Sequence, residues 1–167
     1  MRWLHEEASD TTAACMIGGA ALLILISNSI AIMIMNHCGV TPSHLPAADG
    51  TNPLTTWYFP FLLMEYALME EIIFRLPLAI LITSESVGTK GIMLLAGILS
   101  FMFGVAHGGL SHLPIQGISG FVFCLVFLKC GGLQKQFAKA TAASAMTHFL
   151  FNLTVTIILI GSGATRF

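Results

Sequence analysis

The stretch LLMEYALMEEIIFRLPLAIL, residues 62–81, carries the first side chains able to do chemistry, because three glutamates and an arginine interrupt an otherwise apolar run. Ionisable groups at bilayer depth cost roughly 2.5–3.5 kcal/mol each on insertion scales, so they usually face a cavity or a partner. Glu71 and Arg75 stand four residues apart on one helical face, where an ion pair offsets part of that cost. Glu70 points about 100° away from Glu71, and we therefore expect its partner on another helix.

Two later apolar stretches each carry a histidine with a candidate partner one helical turn away. Phe103 precedes His107 in FMFGVAH, and His148 precedes Asn152 in HFLFN. Residues four apart share a helix face, and a bundle can turn several such faces toward one interior site. Together with a carboxylate, such groups can hydrolyse an amide bond, because the carboxylate takes a proton from water and the donors stabilise the oxyanion. The pattern predicts a hydrolytic site built from Glu70, His107, His148 and Asn152.

Each of these groups also has a purely structural interpretation. A histidine inside a membrane often serves only as a hydrogen-bonding group between helices. Glu71 and Arg75 suit a bracing role, and Phe103 is a common packing residue. Three such groups in one short chain favour function over coincidence. Glu65 has no basic residue three or four positions away, and its only predicted role is to line a wet cavity.

The composition predicts a membrane protein. The chain has 167 residues, of which 56% are hydrophobic and only 9% are charged, against about 25% charged in a typical soluble domain. Mean hydropathy is +0.86. So little charge cannot coat a water-exposed surface, and lipid is the expected surrounding. The formal net charge of −1 gives no attraction to nucleic acid, and no nucleic-acid partner is predicted.

Five apolar segments are long enough to cross a bilayer, which takes about 20 residues. Paired glycines and a proline in HGGLSHLP divide the charge-free run 91–128 into two of these segments. The first segment follows several charged residues and is too long for a signal peptide, so we expect a retained span. The predicted fold is one all-α polytopic membrane bundle over 1–167, with the site inside it and spans at 11–36, 54–83, 91–107, 114–130 and 140–161.

The basic residues predict the orientation, because the cytoplasmic ends of spans are enriched in lysine and arginine. With five spans, one side of the membrane has only Arg166 near it. The other side collects Arg2, Lys90, Lys129, Lys135 and Lys139. We therefore expect an integral protein of the plasma membrane, with a cytoplasmic N-terminus and an outside C-terminus.

Three motifs occur in order, each on its own predicted helix: EEIIFR at 70–75, FGVAH at 103–107 and HFLFN at 148–152. The patterns EExxxR, FxxxH and HxxxN resemble the three most diagnostic motifs of the CPBP family. That family comprises type II CAAX prenyl endopeptidases and bacteriocin-processing or immunity-type proteins. Any one motif is weak, whereas the ordered set is specific. The resemblance covers about 57–161 and implies a four-span catalytic core, an intramembrane endopeptidase activity and a membrane-associated peptide or protein substrate.

Carried onto this sequence, the resemblance implies that Glu70 is the general base and acts with His107 on the attacking water. It also implies that His148 and Asn152 stabilise the oxyanion. The supporting residues would be Glu71, Arg75 and Phe103. The leading interpretation needs no cofactor. A divalent metal such as zinc is the alternative, and its ligands would then be Glu70, His107 and His148.

Two other functions fit parts of the sequence. GISG at 117–120 matches the serine motif of rhomboid proteases, and Ser119 with His148 would form a nucleophile–base pair. Small residues three apart also allow close helix packing, and the serine mechanism leaves Glu70 and His107 without a role. The second alternative is a non-catalytic membrane scaffold or bacteriocin-immunity protein of the same family. The intact set of candidate catalytic residues argues against a scaffold, which is free to lose its base.

Several residues are expected to take no part in the site. Four histidines lie in predicted tails or loops: His5, His37, His44 and His112. The four cysteines form no CxxC pattern and are interpreted as free thiols or packing residues. His107 is predicted near the outer end of its span, roughly 10 Å from the mid-span depth of Glu70 and His148 on straight helices. Helix tilt, or a third helix that runs past Gly108, must close that gap.

Overall fold

The computed structural model describes residues 8–40, 58–84 and 87–161, and the regular structure in these ranges is helical. Its long segments are α1 (Asp10–His37), α2 (Phe59–Thr83), α3 (Thr89–Ala106), α4 (Leu110–Gly132) and α5 (Phe137–Gly161). In α4, an α-helical centre over Ile118–Phe127 lies between wider π turns, after an initial 3₁₀ turn. The predicted all-α membrane bundle is confirmed.

Four of these helices, α1, α3, α4 and α5, are long and apolar enough to cross a membrane. α2, with 25 residues, is also long enough to cross a membrane, but it contains three glutamates and an arginine. Two of these groups, Glu71 and Arg75, form an ion pair that is buried inside the protein. Because that pair is shielded from the surroundings, we count α2 as the fifth span.

The helix ends follow local sequence signals. Ser9 caps α1, since its hydroxyl oxygen accepts a hydrogen bond from the Thr12 backbone N–H at 3.2 Å. α2 begins at Phe59 with Pro60 in its first turn, where the missing N–H of proline costs nothing. The predicted start of that span at 54–57 lies outside the described residues. α5 begins three residues before its predicted start, at Phe137.

The predicted break between the third and fourth spans is confirmed at the paired glycines. α3 ends at Ala106, and His107 is its C-terminal cap. Gly109 has a φ of 75°, in the left-handed region that favours glycine, and Gly108 has a φ of 156°. The alternative in which the third helix runs past Gly108 is wrong, because the chain turns there.

The packing clusters fix the relative directions of three helices. α1 runs parallel to α5, since Asp10 pairs with Lys139 at 3.4 Å near their N-terminal ends and Ile24 packs with Phe151 further along. α4 runs opposite to both. Its C-terminal Cys130 packs near the start of α1, and its N-terminal Ile115 packs near the end of α1. In a chain that crosses a membrane repeatedly, odd- and even-numbered spans run in opposite directions, as α1, α4 and α5 do.

α3 and α4 approach closely through small residues. A Cβ added at Gly104 would lie 2.9 Å from the backbone nitrogen of Gly117, and one at Gly120 would lie 3.0 Å from the Phe103 ring. Glycine at these positions therefore lets the two backbones meet, as small residues do in membrane bundles. The resulting contact places the end of α3, and with it His107, beside α4.

Candidate active site

The centre of α2 carries a buried ion pair. The Glu71 side chain is 0% exposed and that of Arg75 is 1% exposed. Arg75 donates from Nε to Oε2 of Glu71 at 2.7 Å and from Nη2 to Oε1 at 3.0 Å. Such a two-point contact is the strong form of an arginine–carboxylate pair. The ion pair predicted from the four-residue spacing is confirmed.

Side chains from α4 and α5 complete the surroundings of this pair. Arg75 Nη1 lies 3.0 Å from Cys124 Sγ, and Nη2 lies 3.5 Å from the Gly120 carbonyl oxygen. The Ser144 hydroxyl contacts both the Glu71 carboxylate and the Phe123 carbonyl oxygen. The charges of the pair are thus compensated and hydrogen-bonded by three helices, as buried charges require. Ser144 and Cys124 were missed by the sequence analysis.

Glu70 meets two histidines from other helices. Its Oε2 lies 3.4 Å from His107 Nε2 and 3.7 Å from His148 Nε2. The Glu70 side chain is 33% exposed, whereas that of His148 is 4% exposed. The expectation that Glu70 finds its partner on another helix is confirmed. The three groups that sequence reasoning predicted to converge therefore lie together.

His107 reaches Glu70 from the very end of α3. Its Nδ1 lies 2.7 Å from the carbonyl oxygen of Phe103, one turn earlier. A carbonyl can only accept, so Nδ1 carries the hydrogen and Nε2 is the nitrogen that faces Glu70. The ring of Phe103 packs against that imidazole with centroids 4.2 Å apart. Phe103, predicted as a supporting residue, thus contacts the histidine of its own motif.

His148 lies between the two glutamates. Its Nδ1 is 3.3 Å from Glu71 Oε1, on the opposite side of the ring from the Nε2 that faces Glu70. Phe123 of α4 stacks on the imidazole at 4.5 Å with an interplanar angle of 23°, and Phe103 meets it edge-on at 5.8 Å. Phe123 belongs to none of the three motifs, and no sequence signal distinguished it from other apolar residues of its span.

Asn152 lies one turn beyond His148 on the same face of α5 and is partly buried. Within the described part of the chain its carboxamide makes no hydrogen bond, so it remains available to another group. Ser144, one turn before His148, lies on that face too. The spacing of 144, 148 and 152 is the signal that could have indicated Ser144 from the sequence.

The structure gives Ser119 a different partner from the one that a serine mechanism needs. Its hydroxyl donates to the Ile115 carbonyl oxygen at 2.8 Å and accepts from Asn28 Nδ2 at 3.3 Å. The serine–histidine pair with His148 is therefore not supported. The neighbouring Gly120 fits the helix-packing interpretation of GISG instead, because it contacts the Phe103 ring.

The remaining polar residues lie apart from this cluster. Glu65 is exposed, and so is His37 at the end of α1. His112 was predicted to lie in a loop, but it is buried in the 3₁₀ turn of α4, where its ring packs over Gly108. His5 and His44 lie outside the described residues. In ranges 8–40, 58–84 and 87–161, no three His, Cys, Asp or Glu side chains form a group that could hold a metal.

A helical membrane bundle with a carboxylate and two imidazoles inside it has the groups that an intramembrane hydrolase needs to activate water. The sequence matches the profile of the family described as Type II CAAX prenyl endopeptidase Rce1-like over residues 52–154, and the chain belongs to this family. Searches of curated proteins and of solved structures each gave no match. At the family level the chain is an integral membrane protein of the CAAX-protease type, whose substrate is a peptide or protein.

Proposed function

We propose that this protein is an intramembrane endopeptidase that hydrolyses a peptide bond of a membrane-associated peptide or protein. Glu70 and His107 activate water, and His148 and Asn152 stabilise the oxyanion. The observation that carries the proposal is the position of Glu70 Oε2, 3.4 Å and 3.7 Å from the Nε2 atoms of two histidines. The Glu70 side chain is 33% exposed, so the protein does not fully enclose it.

The two adjacent glutamates have different roles in this mechanism. Glu71 is occupied by Arg75 and Ser144, so its charge is compensated and it is unavailable as a base. Glu70 has no guanidinium partner within the described residues and faces imidazoles instead. A base has to accept a proton during the reaction, so the carboxylate that no guanidinium holds is the candidate for this role.

The reaction consumes one water and produces one acid and one amine. Glu70 takes a proton from water while His107 holds that water, and the hydroxide adds to the carbonyl carbon of the substrate. The carbonyl oxygen becomes an oxyanion, to which His148 and Asn152 donate hydrogen bonds. Glu70 then passes its proton to the leaving nitrogen as the carbon–nitrogen bond breaks. The carboxylate side of the cleaved peptide retains the water oxygen.

His148 must carry hydrogen on Nε2 to donate to an oxyanion. Its other nitrogen, Nδ1, lies 3.3 Å from Glu71 Oε1. Stacking by Phe123 then fixes the plane in which the Nε2 hydrogen lies.

We propose that this mechanism needs no metal. The described side chains offer no ready three-ligand group, and asparagine is a poor ligand for zinc. No step of the mechanism above passes through a metal. Preincubation with a strong chelator followed by a cleavage assay tests this point, and we expect an unchanged rate. A loss of activity that added zinc restores would contradict the metal-free mechanism.

The first substrate to test is a prenylated CAAX peptide, because the family description names such an activity. A membrane-bound precursor with a signal-peptide or bacteriocin-like leader is the second. Comparison of peptide termini in cells that produce the wild-type protein or the Glu70→Gln variant detects either kind. We also propose the plasma membrane as the location, with the N-terminus in the cytoplasm.

Glu70→Gln tests the proposal directly. We expect this variant, reconstituted in lipid, to lose cleavage of a fluorogenic farnesylated CAAX peptide by at least about 100-fold, the lower range of general base catalysis. Its melting temperature should stay near that of the wild type, because Glu70 is partly exposed. Glu71→Gln is the comparison, since it leaves a buried guanidinium uncompensated and should unfold the protein at lower temperature.

Wild-type turnover by a folded Glu70→Gln protein would contradict the proposal. If Glu70→Gln and His148→Ala both fold and keep the full biological activity of the protein, a scaffold or immunity role replaces the enzyme.

A further inference from the structure

Asn28 is a buried carboxamide on α1, a helix that lies outside the residues matched by the family. It is 6% exposed, and its Nδ2 donates to Ser119 Oγ at 3.3 Å. The Ser119 hydroxyl hydrogen is used on the Ile115 carbonyl, so the serine oxygen acts here as acceptor and the amide nitrogen must face it. The Oδ1 atom of Asn28 is also buried and has no hydrogen-bond partner among the described residues.

Asn28 lies in a layer next to the catalytic one. Four residues earlier on its helix, Ile24 packs with Phe103, Phe123 and Phe151. Ser119 is likewise one turn from Phe123, which stacks on His148. Because α4 runs opposite to α1, the step from Ile24 to Asn28 and the step from Phe123 to Ser119 run in the same direction, each by about 6 Å.

Asn152 is reached from His148 by the same step, because α5 runs parallel to α1. This step leads toward the end of the bundle where His107 lies. On α3, Phe103 contacts Gly120 of α4, and the next residue, Gly104, contacts Gly117. The two helices are therefore antiparallel here, and His107 lies one turn beyond Phe103 toward that end of the bundle. Three polar groups on α1, α4 and α5 therefore form one layer between the levels of His148 and His107. We call Asn28, Ser119 and Asn152 the amide layer.

We propose that Asn28 is a substrate-binding residue, whose Oδ1 accepts a hydrogen bond from a backbone N–H of the peptide substrate in the amide layer. The inference rests on the proposed function. A peptide must be extended at the bond to be cut, and its N–H groups then lack helical partners where water is scarce. Asn28 presents the complementary group, a buried acceptor without a donor. Asn152, in the same layer, donates a hydrogen bond to the oxygen of the adjacent substrate carbonyl, which becomes the oxyanion.

A purely structural role for Asn28 predicts a different outcome from substrate binding. Asparagine often joins membrane helices through hydrogen bonds, and the Asn28–Ser119 contact is one such bond. Ser119→Ala removes that bond and keeps Oδ1, whereas Asn28→Leu removes both at nearly constant size. A structural role makes the two variants alike, with lower melting temperatures and unchanged KM. Substrate binding makes them differ, because only Asn28→Leu loses the acceptor.

We expect Asn28→Leu to raise KM for the farnesylated CAAX peptide by about tenfold, as loss of one neutral hydrogen bond allows, while Ser119→Ala keeps KM within about twofold. Should Asn28→Leu fail to fold, Asn28→Ala takes its place. Peptides in which an ester replaces one amide provide the second half of the test. One ester position should raise KM for the wild type but cause no further rise for the Asn28 variant, because the same hydrogen bond is lost in both cases.

Binding of the same peptide to Glu70→Gln separates this inference from the proposed function. Cleavage by the wild type with equal KM for Asn28→Leu and Ser119→Ala overturns the inference and leaves the endopeptidase intact. Peptide binding that Asn28→Leu weakens, without cleavage by the wild type, supports the subsite and overturns the enzyme. Neither cleavage nor binding overturns both.

Discussion

Glu70 and Glu71 are chemically identical neighbours, and their surroundings alone make them different. Glu71 lies fully buried against a guanidinium and a hydroxyl, which hold its charge in place. Glu70, about 100° around the helix, faces two imidazoles and the remaining access to solvent. The surface of α2 therefore presents a fully buried carboxylate and a partly exposed one side by side, each on its own face of the helix.

Ser144 acts on the site through another residue rather than by direct contact with the proposed catalytic groups. Its hydroxyl braces Glu71, which in turn faces His148 Nδ1 at 3.3 Å. We expect Ser144→Ala to lower kcat for the farnesylated CAAX peptide by about tenfold with little change in KM, since the loss of one hydrogen bond to a charged group is of that size. Kinetics over a range of substrate concentrations measure the two constants separately.

Ser144→Thr is the matched control, because it keeps the hydroxyl and adds one methyl group. It should restore most of kcat if the hydroxyl positions Glu71 and His148. Equal kcat for Ser144→Ala and the wild type would show that the brace has no effect on the reaction.

At the scale of elements, α4 determines the geometry of the site although it carries no family motif. Phe123 stacks on His148, its carbonyl accepts from Ser144, and Cys124 and Gly120 contact Arg75. Its small residues also allow α3 to approach, which brings His107 to Glu70 from a helix end. The depth mismatch expected from straight helices is thus closed by packing and by the turn at Gly108 and Gly109.

The α3–α4 contact can be tested with a pair of glycines on the same helix. A Cβ at Gly104 meets the Gly117 backbone at 2.9 Å, whereas one at Gly97 has nothing within 4 Å. We expect Gly104→Ala to destabilise the protein by about 1–3 kcal/mol, because the helices must separate, and to reduce cleavage by displacing His107. Gly97→Ala should be neutral or slightly stabilising. Thermal unfolding and the cleavage rate are measured for both.

Equal stability and activity of Gly104→Ala and Gly97→Ala would mean that the close approach of α3 to α4 does not hold the site together.

At the scale of the whole molecule, the described residues form five long helices around a mostly apolar core that contains a small polar cluster, and the exterior is largely apolar. Large exposed side chains such as Leu22, Met33 and Ile73 suit a surface in contact with lipid. The helices of the described residues enclose the site, and the His148 side chain is only 4% exposed. α1, outside the family match, contributes to that enclosure through Ile24 and Asn28.

The proposed orientation can be tested with the cysteine at the end of α1. Cys38 is exposed, and it lies beyond the helix on the side opposite the lysine-rich end. We expect a membrane-impermeant maleimide to label Cys38 in intact cells, in a variant that also carries Cys15→Ser. The remaining cysteines, Cys124 and Cys130, are buried and should stay unlabelled until the protein is denatured. Labelling of Cys38 only after permeabilisation would reverse the orientation.

The sequence by itself determined the membrane environment, the helical class and the polar residues that converge. Charge scarcity and runs of about 20 apolar residues decide the first two, because they depend on composition and length. The four-residue spacings of Glu71 with Arg75 and of His148 with Asn152 define faces, because helix geometry is local. These features need no knowledge of which helix lies beside which.

Only the tertiary structure decided which groups from different helices touch. Phe123 and Cys124 look like ordinary apolar residues of a span, and their contacts with His148 and Arg75 depend on the rotation of α4. The end of α3 at His107 and its approach to Glu70 depend on a glycine contact between helices. Asn28 has a buried oxygen without a partner among the described residues only because α1 packs on Ser119. Helix rotation and depth arise from packing over the whole bundle, which no local spacing specifies.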